Sequence, residues 1–251
     1  MYLYLIPNLK ICRLYISPKK IDIRHTVYEV LCHNTSMLAT DAQRAALIQT
    51  FRHGTCLKYN KGEFIIRPGE APTGVFFIEN GLVKAYDITK YGEENLLIIR
   101  KEGEIFPLIW AVTGQERHII YQALAPTTVW RISQELYLSY ISNEPDALAP
   151  LLDMTIEMYR IHSERIINLE YRTVRERLIS FVLTMAQRFG RETDEGIFID
   201  VPLRQQDIAS SINASRETTS RELSALEKKG LLKTDPRYLL LKDPTKLRSY
   251  L

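Results

Sequence analysis

LRQQDIASSINASRETTSRELSALEKKGLL, residues 203–232, decides the architecture of this chain. Within it, Ser215–Lys229 carries a helical period of about 100° per residue. That period places Arg216, Glu217, Ser220 and Arg221 on one face and Leu223, Leu226 and, past the end, Leu231 on the other. The first face joins two guanidiniums, a carboxylate and a hydroxyl. Arg can grip the O6/N7 pair of guanine and Glu accepts from the cytosine amino group, so this face has the chemistry of base edges. Arg204–Ser211 reads as a shorter helix before it, and Ile212-Asn213-Ala214 as the turn, with Asn213 where positive φ is needed. Gly230 stops the second helix at C′. Leu231–Lys233 and Tyr238–Lys242, joined around Asp235-Pro236, predict a β-hairpin. Two helices on a tight turn followed by a hairpin make a winged helix-turn-helix.

Upstream the patterning changes twice. From Leu57 to about Ile132, short runs such as EFIIR, GVFFIEN, GLVKAYDI, ENLLIIR and TTVWRIS are punctuated by Gly62, Gly69, Gly74, Gly81, Gly92 and Gly103. This spacing predicts an antiparallel sandwich or barrel. From about Pro145 to Asn168 a helical period takes over. Leu148, Leu152, Thr155, Tyr159, His162, Ile166 and Leu169 alternate by four and three, as a coiled-coil seam does. Leu151, Met154, Met158 and Ile161 form a second stripe beside it. A helix apolar on two faces needs two partners: its own β domain and a twin from a second subunit, or else burial within a single chain. A further amphipathic helix carries Val174, Leu178, Phe181, Val182, Met185 and Phe189, and Ile197–Val201 reads as a short strand. A helix is expected at Thr40–Phe51. Residues 1–36 are either an extension packed on the rest or, if translation starts at Met37, no part of the product.

In this order the chain resembles the CRP/FNR superfamily of bacterial transcription regulators over about Ala39 to Leu251. The resemblance implies an α+β fold. Residues 37–144 would be an antiparallel β-roll (double-stranded β-helix) sensor, 145–170 a dimerisation helix and 171–251 a winged helix-turn-helix DNA-binding domain. RQQDIA matches the family's first helix-turn-helix helix and SRETTSRELSALEKKGLL its recognition helix. By position, Glu217 and Arg221 resemble the base-reading pair. Ser220 completes the E-x-x-S-R pattern of the FNR branch, whose half-sites resemble TTGAT. Arg216 is similar to the cAMP-receptor branch, whose half-sites resemble TGTGA. A palindromic site on duplex DNA with a shared TGA core is the expectation. Arg204 and Gln205 stand where phosphate contacts lie, and Ser215 caps the recognition helix. The partners implied are double-stranded DNA, a second copy of the chain along the seam from Leu148 to Leu169, and RNA polymerase.

The sensor segment departs from the family. Its cyclic-nucleotide sensors use Gly-Glu before a short helix, then Arg followed by Ser or Thr. In GEIFPLIWAVTGQERHIIYQALAPTTVWRI, Phe106-Pro107 replaces Gly-Glu and His118 the hydroxyl, leaving Arg117. Ordinary cyclic AMP binding is therefore disfavoured, because the ribose loses its carboxylate partner and Pro107 offers no backbone donor. Phe106, Pro107, Leu108, Ile109 and Trp110 make the pocket apolar, which suits either a hydrophobic or peptide-like effector or a filled pocket with constitutive DNA binding. Cys12, Cys32 and Cys56 stand too far apart, and are too few, for an iron–sulfur cluster. Haem and metal are unsupported, with His53, His118 and His162 candidates only by residue type.

Composition agrees. The 251 residues carry a net charge of +3, and from Leu203 onward ten Lys/Arg face six Asp/Glu, which suits phosphate contact. No apolar run approaches the ~20 residues that span a bilayer. The opening MYLYLI is not a signal peptide, so a cytoplasmic protein with no membrane partner is expected. The chain shows no nucleophile–base pair, no phosphate-cradling glycine loop and no zinc-protease spacing, so an enzyme is not expected. A competing class is a ligand-binding module acting through protein contacts without specific DNA binding.

Overall fold

The computed structural model describes residues 38–235 and 238–251. The expectations for the N-terminal extension, for Cys12, Cys32 and Met37, and for Pro236 in the hairpin turn lie outside the described residues.

Helix α1 (Asp41–Arg52) begins one residue later than its period suggested because Thr40 serves as its cap. The Thr40 side chain accepts the Gln43 N–H, and Gln43 returns a bond to the Thr40 N–H, a reciprocal capping box. Two four-stranded antiparallel sheets follow. One pairs β1 (Thr55–Tyr59), β8 (Thr127–Ile132), β3 (Val75–Asn80) and β6 (Ile105–Phe106) in that order. The other runs β2 (Phe64–Ile66), β7 (Ile120–Ala123), β4 (Leu82–Ile88) and β5 (Glu94–Lys101). Strand β3 is apolar continuously rather than in alternation because both its faces are covered. Phe76 and Ile78 look into the roll toward Val83, Ala85 and Val129. Val75 and Phe77 pack outward on Leu47 and Phe51 of α1 and on Tyr137 of α3 (Gln134–Asn143). Between β6 and β7 runs a short helix, α2 (Leu108–Thr113), ended by Gly114 at φ 69°. The β3–β4 turn needs Gly81, at φ 101°, where a Cβ would lie 2.5 Å from the Pro126 carbonyl oxygen.

The expected long helix divides at its start. Pro145–Ala147 forms a 3-10 turn and α4 spans Leu148–Tyr171. Its second stripe docks on the β-roll: Leu151 and Met154 join the outer cluster, Met158 and Ile161 the inner one. Among the described residues, most of the seam stripe is exposed, with Leu148, Leu152, Tyr159, Ile166 and Leu169 open to solvent. Helix α5 (Val174–Phe189) opens with a capping box between Thr173 and Glu176. The strand expected at Ile197–Val201 is a hairpin instead, β9 (Gly190–Thr193) with β10 (Gly196–Ile199). The polar sequence of β9 has no apolar alternation, and only its pairing with β10 defines it.

Helices α6 (Gln205–Ser211) and α7 (Arg216–Lys228) meet at Asn213, whose φ is 49° as its turn position requires. The wing is β11 (Leu232–Asp235) with β12 (Tyr238–Leu241), joined edge to edge to β10. A last short helix, α8 (Pro244–Arg248), closes the core over Leu247. Leu178, Val182, Ile208, Leu223, Leu226, Leu231 and Leu241 form that core, and Leu96, Ile99 and Leu124 of the β-roll belong to the same cluster. The helix-turn-helix is thus packed directly against β5. No helix among the described residues is long and apolar enough to cross a membrane.

Candidate nucleic-acid interface and sensor cavity

The recognition helix is held at both ends. The Ser215 hydroxyl accepts the Thr218 N–H at 3.1 Å, satisfying an otherwise free donor. At the other end, Gly230 (φ 70°) donates to the Glu227 carbonyl and Leu231 to the Leu226 carbonyl, the paired bonds of a Schellman stop. Thr219, Leu223 and Leu226 are buried, and Thr219 donates back to the Ser215 carbonyl at 2.9 Å. Glu227 accepts from the backbone and side chain of Thr234, fastening the wing, while Arg175 of α5 pairs with Glu222 at 2.7 Å.

With the helix so anchored, Arg216, Glu217 and Arg221 are exposed and Ser220 is half-exposed beside them. Arg221 makes no hydrogen bond or ion pair among the described residues, and Arg216 meets only Glu217, at 4.0 Å. The structure therefore brings together the four residues expected on one face and leaves their polar groups available. Gln205 is likewise exposed at the first turn of α6.

Arg204, expected at a phosphate contact, is exposed and also bonded within the chain. It caps α6, and its guanidinium donates to Asp207 at 2.8 and 3.0 Å and to Glu94 of β5 at 2.6 Å. Lys84, buried beneath, donates to the same Glu94 at 2.7 Å. The Asp207 hydrogen bonds drive the Arg204 pKa further up. Burial alone would raise the Asp207 pKa, but the Arg204 bonds outweigh it and the net shift is downward. That part of the stability is full above the ordinary carboxylate pKa of about 3.9 and lost as pH falls through the lower folded value. Asp207→Asn is expected to cost about 3 kcal/mol in urea unfolding at neutral pH, since it removes a buried carboxylate that accepts from Arg204 and lies 4.0 Å from Lys84, leaving Glu94 to serve both cations. A cost below about 1 kcal/mol would remove the bridge as a determinant of domain docking.

A cavity of about 520 Å³ lies between the β-roll and α4. Pro107, Leu108, Ile109 and Trp110 form one wall, Arg100 and Tyr121 another, and Thr155, Tyr159 and His162 of α4 a third. Arg117 and His118 stand exposed at its edge. Among the described residues this space is unfilled. Phe106 also needs correcting: it is fully buried, stacked between Phe76 at 5.2 Å and Tyr121 at 4.7 Å. Its ring is spent on the core of the roll, and Pro107 and Leu108 are the residues that reach the cavity. The His162 pKa is pushed down by burial, then by the Arg100, Arg165, Arg117 and Arg188 guanidiniums.

Along the seam, Tyr159 is 75% exposed, Ile166 58%, Leu148 55%, Leu152 47% and Leu169 38%. Thr155 is exposed with them, and His162 turns half inward to the cavity. Exposed Ile156, Ile167 and Tyr171 extend the apolar surface. His53 ends α1 and Cys56 lies exposed on β1, and no group of three or more metal-type side chains occurs among the described residues.

Sequence reasoning missed one buried network. Arg100 donates to Glu104 at 3.3 Å, Glu104 accepts from Arg188 of α5 at 2.6 Å, and Arg188 also donates to the Ile99 carbonyl at 2.8 Å. The signal was there: a charge ends the apolar run NLLIIR, and Arg188 falls near the apolar stripe of α5.

A β-roll with a wall cavity, joined by a long helix to a capped and exposed recognition helix, defines a sensor-type domain coupled to a DNA-binding one. The comparisons agree. Residues 56–144 match the cyclic nucleotide-binding domain family and residues 176–250 the Crp-like helix-turn-helix domain. The chain is 29% identical over 196 residues to the global nitrogen regulator of a Synechocystis strain, covering 75% of this chain and 85% of that protein. It is 23% identical over 189 residues to the CRP-like cAMP-activated global transcriptional regulator of Mycobacterium tuberculosis, covering 75% of this chain and 84% of that one. The fold is shared with FixK2 of Bradyrhizobium japonicum, at a TM-score of 0.68 and 23% identity over 78% of this chain and 96% of that one. The chain belongs to the CRP/FNR superfamily and is a transcription regulator with a helix-turn-helix DNA-binding domain, not an enzyme.

Proposed function

We propose that two copies of the chain pair along α4 and read a two-fold DNA site whose half-sites contain TGA, with Glu217 and Arg221 as base readers. The observation that carries this is the exposed Arg221 guanidinium, without a hydrogen bond or ion pair among the described residues, beside Glu217 on a helix capped at both ends. Arg216 and Ser220 adjoin that pair and refine the half-site, and Gln205 makes backbone contacts. Arg204 joins them only if the Glu94 bridge opens. Two recognition helices about one DNA turn apart enter successive major grooves. The dimer then presents itself to RNA polymerase.

The test is selection of bound duplexes from random DNA by the purified chain, followed by gel shifts at physiological salt. Enrichment of paired TGA-containing half-sites is expected. Equal affinity for selected and scrambled duplexes would favour a module acting through protein contacts.

The cavity belongs to the same reading as an effector site for something other than cyclic AMP. The wall at the start of α2 offers Pro107 and Leu108, hence no carboxylate for a ribose hydroxyl and no N–H at Pro107. Titrating cyclic AMP into the protein is expected to give no saturable heat in calorimetry. A stoichiometric, high-affinity isotherm would overturn this part.

A further inference from the structure

Four charges meet where the DNA-binding half leans on the β-roll, and they sum to zero. Lys84 of β4 and Glu94 of β5 come from the roll, Arg204 and Asp207 from the start of α6. Asp207 is the fixed member. It is buried and accepts from the Arg204 backbone N–H at 2.9 Å, from Nε at 3.0 Å and from Nη2 at 2.8 Å. Glu94 is the replaceable one. Its side chain is 35% exposed, and one oxygen, Oε2, accepts both from Arg204 Nη2 at 2.6 Å and from Lys84 at 2.7 Å.

Asp207 therefore sets one edge of the guanidinium and leaves its end for a second anion. Glu94 holds one of the two donors there through Nη2; Nη1, the other, makes no hydrogen bond among the described residues. The Arg204 side chain is 60% exposed, so that end is reachable from solvent. The first helix of a helix-turn-helix crosses the DNA backbone as the second enters the groove, and exposed Gln205 adjoins Arg204. A phosphate arriving there meets a guanidinium that already holds a carboxylate. Both anions make charge-assisted bonds of the same kind, so they are rivals for one position. Exchange leaves no charge bare, because Glu94 keeps Lys84. Nor does it undock the two halves: Ser210 still accepts the Leu96 N–H at 3.2 Å, and Lys101 still donates to the Arg188 carbonyl at 2.9 Å.

We propose that Glu94 is an intramolecular stand-in for a DNA phosphate, competing for Arg204 and holding down the sequence-independent part of DNA affinity. This assignment rests on the reading of α6 and α7 as the DNA-binding helices and names a restraint on their backbone contacts. A phosphate gains the Arg204 contact only by displacing Glu94, once in each chain. The restraint acts on operator and random duplex alike, because phosphates carry no sequence information. An operator offsets it with the base contacts of Glu217 and Arg221, and random DNA has none to offer.

The test uses the full chain in fluorescence anisotropy at fixed salt, with the selected operator and a random duplex as probes. Glu94→Gln is expected to tighten binding to both by about three- to tenfold. Glu93→Gln removes an equal charge from the neighbouring exposed position and is expected to change either affinity by about twofold at most. In an Arg204→Gln background, Glu94→Gln is expected to add nothing. Glu94→Asp keeps the charge but is one methylene shorter, so it should also tighten both duplexes, and it decides if Arg204→Gln fails to fold. Urea unfolding checks that each variant is native. Glu94 variants that gain nothing, an equal gain from Glu93→Gln, or a gain that persists without Arg204 would each overturn the assignment, the latter two by showing plain charge repulsion. The two readings fail separately. Gain through Arg204 without any preference for the operator overturns the base readers alone; operator preference with Glu94 variants that gain nothing overturns the restraint alone.

Discussion

Arg221→Ala is expected to lower affinity for the selected operator by about 5- to 150-fold per half-site while leaving affinity for random duplex nearly unchanged. The figure follows from the roughly 1–3 kcal/mol that a bidentate guanidinium contributes to base discrimination. The side chain is exposed and makes no hydrogen bond or ion pair among the described residues, so the unfolding midpoint should hold. Competition gel shifts with specific and scrambled duplexes read the result, and the salt dependence adds a second measure. A lost phosphate contact lowers the slope of log affinity against log salt by about one and weakens all sequences alike. That pattern, in place of a collapsed specificity ratio, would move Arg221 from base reader to backbone clamp. Arg221→Lys should rescue little, because an ammonium cannot reproduce the planar fork.

If the chain pairs along α4 as proposed, Leu152→Glu is expected to leave it monomeric at micromolar concentration and to cut operator affinity by about a hundredfold or more. Leu152 is 47% exposed in the single chain, so a carboxylate there costs the protomer little. Across a coiled-coil-like seam it would face apolar residues of the twin helix with no partner. DNA affinity falls because each monomer reads one half-site and forfeits the high effective concentration of the linked second one. Sedimentation analysis, circular dichroism and gel shift together decide it. Met158→Glu is the contrast: Met158 packs on the inner β-roll cluster, so this variant should lose thermal stability before it loses its partner. A Leu152→Glu protein that stays dimeric with full operator affinity would place the interface elsewhere.

Both expectations rest on features legible in the sequence, and the reason is that these features are local. Helix caps, the positive φ at Asn213, the Gly230 stop and the two stripes of α4 follow from spacing and residue type within a few turns. The same holds for the apolar runs and glycine turns of the β-roll. What misled was local chemistry whose partner lies far along the chain. Arg204 opens a helix-turn-helix, which suggests a phosphate contact, but its ion pair with Glu94, 110 residues earlier, could not be read from that position. Phe106 sits beside the cavity residues in sequence, yet a strand's alternation turns its ring into the roll. Strand β9 is polar throughout and exists because β10 offers it an edge.

By itself, the sequence of residues 203–232 determined a recognition helix and the side chains it presents, because a helix's faces are set by its own period and its ends by its own caps. Only the tertiary structure decided that the cavity is open, that one Glu104 serves both Arg100 and Arg188, and that the helix-turn-helix leans on β5 through Arg204. Those outcomes depend on which distant groups share a buried space, where charges must be paired and volume filled, and no short-range pattern along the chain encodes that.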